Sequence, residues 1–154
     1  MSSQSLPAKL SPDLWEALHA IKSIRIYPKG DTLFRQGTEV CGVFVVESGA
    51  VRVLLPTAQG RPQLLETAGP GAVLGLSESM SGEPYRVTAE AGDHTTVAFV
   101  PRENFVEFLR EHCDFCMQVV RLLSEDLHVL YHKFRSISAH PGRPKRRPHD
   151  VQLN

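Results

Sequence analysis

What this chain has little of sets the first limits on it. It carries three cysteines in 154 residues, an odd number that cannot all pair within one chain, which argues against a disulfide-stapled secreted scaffold. It has no excess charge, because 17 Lys+Arg balance 17 Asp+Glu, and this argues against a surface that grips nucleic acid along its whole extent. No apolar run approaches the roughly 18–20 residues of a membrane span. The N-terminal MSSQSLPAKL lacks the apolar stretch of a signal peptide. At 42% hydrophobic residues the composition is not that of a disordered chain, and the length is that of one ordinary domain. The expectation is a cytoplasmic domain that stays out of the membrane.

Glycine and proline are unevenly spread. Ten of the eleven glycines fall between Gly30 and Gly92, whereas the stretch from Arg102 to His140 holds neither glycine nor proline. Glycine punctuates turns between short strands, and a long stretch without either residue permits extended helix. The first region is therefore expected to be β and the second helical. Ahead of both, SPDLWEALHAIKSI reads as a helix, with Ser11 as N-cap, Pro12 in the first turn and Leu14, Trp15, Leu18 and Ile21 on one face. The segments IRIY, DTLFRQ, GVFVVES, VRVLL, QLLETA, AVLG, RVTAEA and TTVAFV follow as short strands. Their turn signals recur about every 8–12 residues, as in an all-β sandwich or barrel with mostly antiparallel strands. Pro101 then opens a helix with Phe105, Phe108 and Leu109 on one face, and a longer helix is expected from about Asp114 to Ser138.

Along that second helix Cys116, Val120, Leu123, Leu127, Leu130, Phe134 and Ile137 alternate spacings of four and three, an unbroken heptad seam. A second stripe, Phe115, Val119, Leu122 and Val129, adjoins it. One stripe can pack on the chain's own β domain while the other meets a second copy, so a homodimer through the long helix is expected. The implied division is an N-terminal segment at 1–10, a β-roll with flanking helices at 11–112, a dimerisation helix at 113–138 and a basic, Pro-rich tail at 139–154. The tail nets +3 and the rest of the chain −3, so neutrality is an average.

Six ordered pieces resemble one known family. YPKGDTLFRQGT, VFVVESGAVRVLL, GPGAVLGLSESMSG, YRVTAEA, the N-terminal helix and RLLSEDLHVLYHKFRS together look like the cyclic-nucleotide-binding-like sensor domain of the Crp/Fnr bacterial transcription regulators, over roughly residues 12–138. The resemblance implies an α+β fold: an antiparallel β-roll or jelly roll with an N-terminal helix and a long C-terminal dimerisation helix. It also implies a small effector between the roll and that helix, its phosphate held by a helix start and an arginine and its ribose by a glutamate.

The residues depart from the nucleotide-binding version of this cassette. Cyclic-nucleotide binders in the family resemble G-E-L/I…R-x-A-x-x-x-A. Here Leu76 follows Gly75 where the ribose carboxylate is expected, and Tyr85, not arginine, lies six residues before Ala91. Arg86 is adjacent, but a one-residue slip on a strand turns a side chain to the opposite face. The long helix offers Leu130 and Tyr131 where cyclic AMP binders resemble one another in presenting small hydroxyls. Losing the charge-assisted phosphate contact costs on the order of 1.5–3 kcal/mol, or at least about tenfold in affinity. Tight cyclic AMP binding is therefore not expected. The candidate ligand residues are Gly75, Leu76, Ser77, Glu78, Tyr85, Arg86, Val87, Thr88, Leu130 and Tyr131, with Ser77, Glu78, Arg86 and Thr88 the polar contacts for a different small effector.

Three readings follow: an effector-sensing and dimerisation module of a Crp/Fnr-type regulator, a ligand-free protein-interaction domain, and a genuine cyclic-nucleotide binder. No catalytic constellation emerges, so an enzyme is not expected. Cys113-Asp-Phe-Cys116 places two thiols at i and i+3, a spacing that can share a metal or form a redox pair. A metal needs about four ligands, however, Cys116 also fits the seam as a small apolar residue, and His128 and His132 read as solvated helix residues, so neither a metal nor a redox role is expected. No cofactor is expected beyond a small effector. The basic run from Arg143 to Arg147 is too short to read bases. A helix-turn-helix needs roughly 60–80 further residues, and 17 follow Ile137, so the expectation is a chain without a DNA-reading domain.

Overall fold

The computed structural model describes residues 11–125 and residue 128. Of the sequence expectations, the segment 1–10, the seam residues Leu127, Leu130, Phe134 and Ile137, the stripe residue Val129, the ligand candidate Tyr131, His132 and the tail 139–154 lie outside the described residues.

Among the described residues eight strands form two four-stranded sheets, and every pairing is antiparallel. The strands are β1 (Ser23–Tyr27), β2 (Thr32–Phe34), β3 (Gly42–Ser48), β4 (Val51–Leu55), β5 (Gln63–Ala68), β6 (Val73–Leu74), β7 (Thr88–Ala91) and β8 (Thr95–Pro101). One sheet runs β1-β8-β3-β6 and the other β2-β7-β4-β5. Helix α1 (Pro12–Leu18) precedes them, α2 (Leu76–Ser81) lies between β6 and β7, and α3 (Arg102–Glu111) follows β8. A single 3₁₀ turn, Cys113–Phe115, leads into helical residues 116–125.

The alternation of side chains along a strand divides the interior into two cores. On β3, Phe44 and Val46 point between the sheets, where they meet Leu33, Phe34, Val51, Val53, Tyr85, Val97 and Phe99. Val43 and Val45 point the other way, into a second core with Leu14 and Leu18 of α1, Phe105, Phe108 and Leu109 of α3, and Val119 and Leu122 of the last helical segment. This explains why the start of β3 reads as an uninterrupted apolar run: both of its faces are covered. The Ser11 hydroxyl both caps α1, accepting from the Leu14 N–H at 3.2 Å, and donates to the Gln118 side chain, tying the first helix to the last.

Several elements are shorter than the sequence pattern predicts, each for a visible reason. The N-terminal helix stops at Leu18, and the Ile21 N–H turns back to the Leu18 carbonyl at 3.0 Å. Strand β2 ends at Phe34, because the Gln36 N–H goes to the Thr88 hydroxyl at 2.9 Å instead of a ladder carbonyl. Strand β7 starts at Thr88, not Arg86, because the Arg86 N–H is taken by the Glu78 carboxylate at 3.1 Å. The second helical stretch does not begin as α-helix at Asp114; that residue lies inside the 3₁₀ turn.

Candidate functional site

The segment from Gly75 to Ala91 holds eight of the ten ligand candidates, and the fold sends them in two directions. Gly75 carries the chain from β6 into α2 at a φ of +79°, and a Cβ there would lie 2.9 Å from the Gly42 carbonyl oxygen and 3.2 Å from the Tyr85 ring. Only glycine fits both the backbone conformation and the space. Leu76, the residue after it, is 1% exposed and belongs to the core beneath the helices.

Among the described residues Tyr85 is the largest fully buried side chain, at 1% exposure. Its ring stacks on Phe34 with centroids 3.9 Å apart. Its hydroxyl accepts from the Cys41 N–H at 3.0 Å and the Gly42 N–H at 3.3 Å, and donates to the Gly42 carbonyl at 3.1 Å. The backbone follows: the Gly37 N–H donates to the Tyr85 carbonyl at 2.8 Å and the Tyr85 N–H to the Thr38 carbonyl at 3.0 Å. Burial, with the Cys41 side chain beside it, pushes the Tyr85 phenol well above its ordinary value. The cassette is therefore pinned to the start of β3 through one phenol.

Arg86 faces the other way. Its side chain is 49% exposed, donates to the Ser77 hydroxyl at 3.2 Å and lies 3.7 Å from the Glu83 carboxylate. Ser77 and Arg86 are thus brought together at the outer surface of the cassette, while Glu78 is buried at 7% exposure and accepts from the Arg86 backbone N–H. Val87 is half-buried and packs against the core between the sheets, and the Thr88 hydroxyl accepts from the Gln36 N–H, just past the end of β2. Two grooves of about 720 and 400 Å³ flank α1, and none of the candidate ligand residues lines either one.

Three residues of this arrangement were not foreseen from the sequence: Phe34, Cys41 and Gly42, the partners of Tyr85. They lie 43 to 51 positions away along the chain, and no local signal links them to it. Arg102 is a further one. Its Nε donates to the Ser79 carbonyl at 2.8 Å and its N–H to the Cys41 carbonyl at 2.9 Å, joining α3 to α2 and β3. Among the described residues no group of three or more His, Cys, Asp and Glu could hold a metal ion, and no helix is long and apolar enough to cross a membrane.

A two-sheet antiparallel roll with a short helix between β6 and β7 is the fold of a domain of the cyclic-nucleotide-binding type. A model of the cyclic nucleotide-binding domain matches residues 24–112. The chain is 36% identical over 128 residues to the transcriptional activator protein FnrA of Stutzerimonas stutzeri, covering 82% of this chain and 52% of that protein. It is 34% identical over 123 residues to the transcriptional activator protein anr of Pseudomonas aeruginosa, covering 79% and 50%. The crystal structure of the Thermus thermophilus catabolite activator protein superposes with a TM-score of 0.73 at 25% identity, covering 84% and 61%. The chain belongs to the cyclic nucleotide-binding domain family. It spans about half the length of the curated relatives it matches.

Proposed function

We propose that this chain is the effector-sensing and dimerisation module of a Crp/Fnr-type transcription regulator, working in the cytoplasm, and that it does not hold cyclic AMP tightly. One observation carries the reading. The position where the family resemblance calls for a phosphate-binding arginine is occupied by Tyr85, buried and hydrogen-bonded into β3, while the neighbouring guanidinium of Arg86 lies outside on Ser77 and Glu83. Calorimetry with cyclic AMP and cyclic GMP is expected to give no saturation up to about 1 mM, weaker than about −4 kcal/mol. Micromolar binding would overturn the reading.

The same plugged interior favours a second reading, a protein-interaction domain that needs no small ligand. A thermal-shift panel of nucleotides and metabolites separates the two: a stabilising compound whose effect is lost in Ser77→Ala or Arg86→Ala supports an effector at the outer cassette.

The dimer is supported by the way the last helical segment divides its apolar residues. Val119 and Leu122 are buried on the chain's own core, whereas Val120 is 51% and Met117 67% exposed, and Cys116 is also exposed. Leu123 is half-buried at the boundary. A seam running on from Cys116 and Val120 would cover this uncovered side with a second copy. Sedimentation at micromolar concentration is expected to show a dimer, and Val120→Glu with Leu127→Glu to convert it to monomer; a wild-type chain that sediments only as monomer removes the proposal.

A further inference from the structure

Cys113 and Cys116 stand at the joint between α3 and the last helical segment, and neither the core nor the cassette uses them. Both are exposed and unbridged. The turn Cys113–Phe115 is closed by the Cys116 N–H, which donates to the Cys113 carbonyl. A 3₁₀ turn rises about 2.0 Å per residue and eclipses side chains three apart, a geometry that sets Cα atoms at the Cys113 and Cys116 spacing about 6 Å apart. A disulfide spans Cα separations of about 4.4–6.8 Å. The turn is also held in place from beneath. His112 is bonded through Nδ1 to the Phe108 carbonyl at 3.0 Å and stacks on the Phe108 ring at 4.3 Å, and the Phe115 ring stacks on Phe108 at 6.0 Å. His112 and Phe115 are half-buried against Phe108, whereas Cys113 and Cys116 are exposed. Two thiols supply half of a tetrahedral metal set, and no third ligand joins them among the described residues. A pre-set pair of accessible thiols without metal partners is suited to two-electron exchange.

We propose that Cys113 and Cys116 form a thiol–disulfide redox site that closes by exchange with low-molecular-weight disulfides of the glutathione class. The thiolate of one cysteine attacks a sulfur of the small disulfide, forming a mixed disulfide and expelling one small thiolate. The second cysteine's thiolate then attacks the protein sulfur of that mixed disulfide and expels the other. Two electrons pass from the protein pair to the small disulfide, and the two protons released by the cysteines end on the two departing thiols.

The full chain equilibrated with reduced and oxidised glutathione, acid-quenched, alkylated and digested with trypsin tests this directly. Residues 111–121 carry both thiols on one peptide, and Cys41 lies on another, residues 36–52. The 111–121 peptide is expected to lose two hydrogens, with the closed form exceeding its glutathione adduct by about tenfold or more. Cys113→Ser and Cys116→Ser should each leave a glutathione adduct on the remaining cysteine, and Cys41→Ser should change nothing at 111–121. Accumulation of adducts in the unsubstituted chain would overturn the proposal, and so would reaction at Cys41 alone. Cys116 also opens the proposed seam, so the site rests on that end of the seam staying open to solvent; protection of Cys116 from alkylation in the dimer, or a disulfide between the Cys116 residues of two copies on a non-reducing gel, overturns it.

Discussion

Replacing Tyr85 with alanine is expected to destabilise the domain by about 3–5 kcal/mol, the range for removing a fully buried aromatic side chain. In a domain of this size that lowers the midpoint of thermal unfolding by roughly 10 °C or more. The loss has two parts. The ring leaves a cavity against Phe34, and the hydroxyl abandons the Cys41 and Gly42 N–H groups at the head of β3. Tyr85→Phe keeps the ring and isolates the second part, a buried donor left without its acceptor, at about 1–3 kcal/mol. Arg86→Ala is the control. That side chain is half exposed and makes only surface contacts, so its removal should change stability by no more than about 0.5 kcal/mol. A costly Arg86→Ala beside a silent Tyr85→Ala would mean that the two side chains have exchanged sides. The phenol also leaves a signature in pH. Its ionisation is raised in the folded state, so its stabilising effect is complete below the ordinary tyrosine value of about 10 and declines at higher pH by about 1.4 kcal/mol per unit. The difference between wild type and Tyr85→Phe should therefore shrink as the pH rises above about 10. A difference that stays constant would count against a buried, neutral phenol.

What the sequence made legible was whatever is written locally. Glycine punctuation marks the strand ends, Ser11 and Pro12 mark the start of α1, and Phe105, Phe108 and Leu109 fall into the core at the helical spacing that singled them out. The stretch from Gly75 to Ala91 that resembles the family's cassette, with Tyr85 where that resemblance expects arginine, is likewise a local feature. What could not be read is how the positions left open were used. Strands β3 and β4 are adjacent in the chain yet belong to different sheets, and that assignment depends on pairings made across dozens of residues. Tyr85 as a plug depends on Phe34, Cys41 and Gly42, which no periodicity connects to it. The truncation of β7 depends on one carboxylate, Glu78, which diverts the Arg86 N–H from the ladder. In each case a single non-local hydrogen bond or ring contact decided against a local propensity that was otherwise sound.

The corner between those two strands carries the other large expected effect. Gly49 turns the chain from one sheet into the other at a φ of +94°, and a Cβ there would come within 2.6 Å of the Thr95 hydroxyl and 2.7 Å of the Thr95 Cα. Thr95 cannot easily yield. It is fully buried, accepts from the Ala50 N–H at 3.2 Å, and shares its own hydrogen between the Ala50 and Asp93 carbonyls at 3.0 and 2.8 Å. Gly49→Ala therefore combines left-handed backbone strain of about 1–2 kcal/mol with an overpacking cost of about 1–3 kcal/mol, a total of roughly 2–5 kcal/mol. Gly30 provides the comparison, because it has nearly the same φ, +92°, with nothing within 4 Å of the added carbon. Gly30→Ala should cost only the strain, about 1–2 kcal/mol. Chemical denaturation of the two variants side by side separates backbone conformation from crowding. Equal losses would show that the Thr95 corner gives way, and a near-neutral Gly49→Ala would mean that the sheets do not meet at Thr95 as described. If the larger loss at Gly49 is found, the corner is a rigid joint, and Thr95→Val should weaken it by leaving the Ala50 N–H without its acceptor, at about 1–3 kcal/mol.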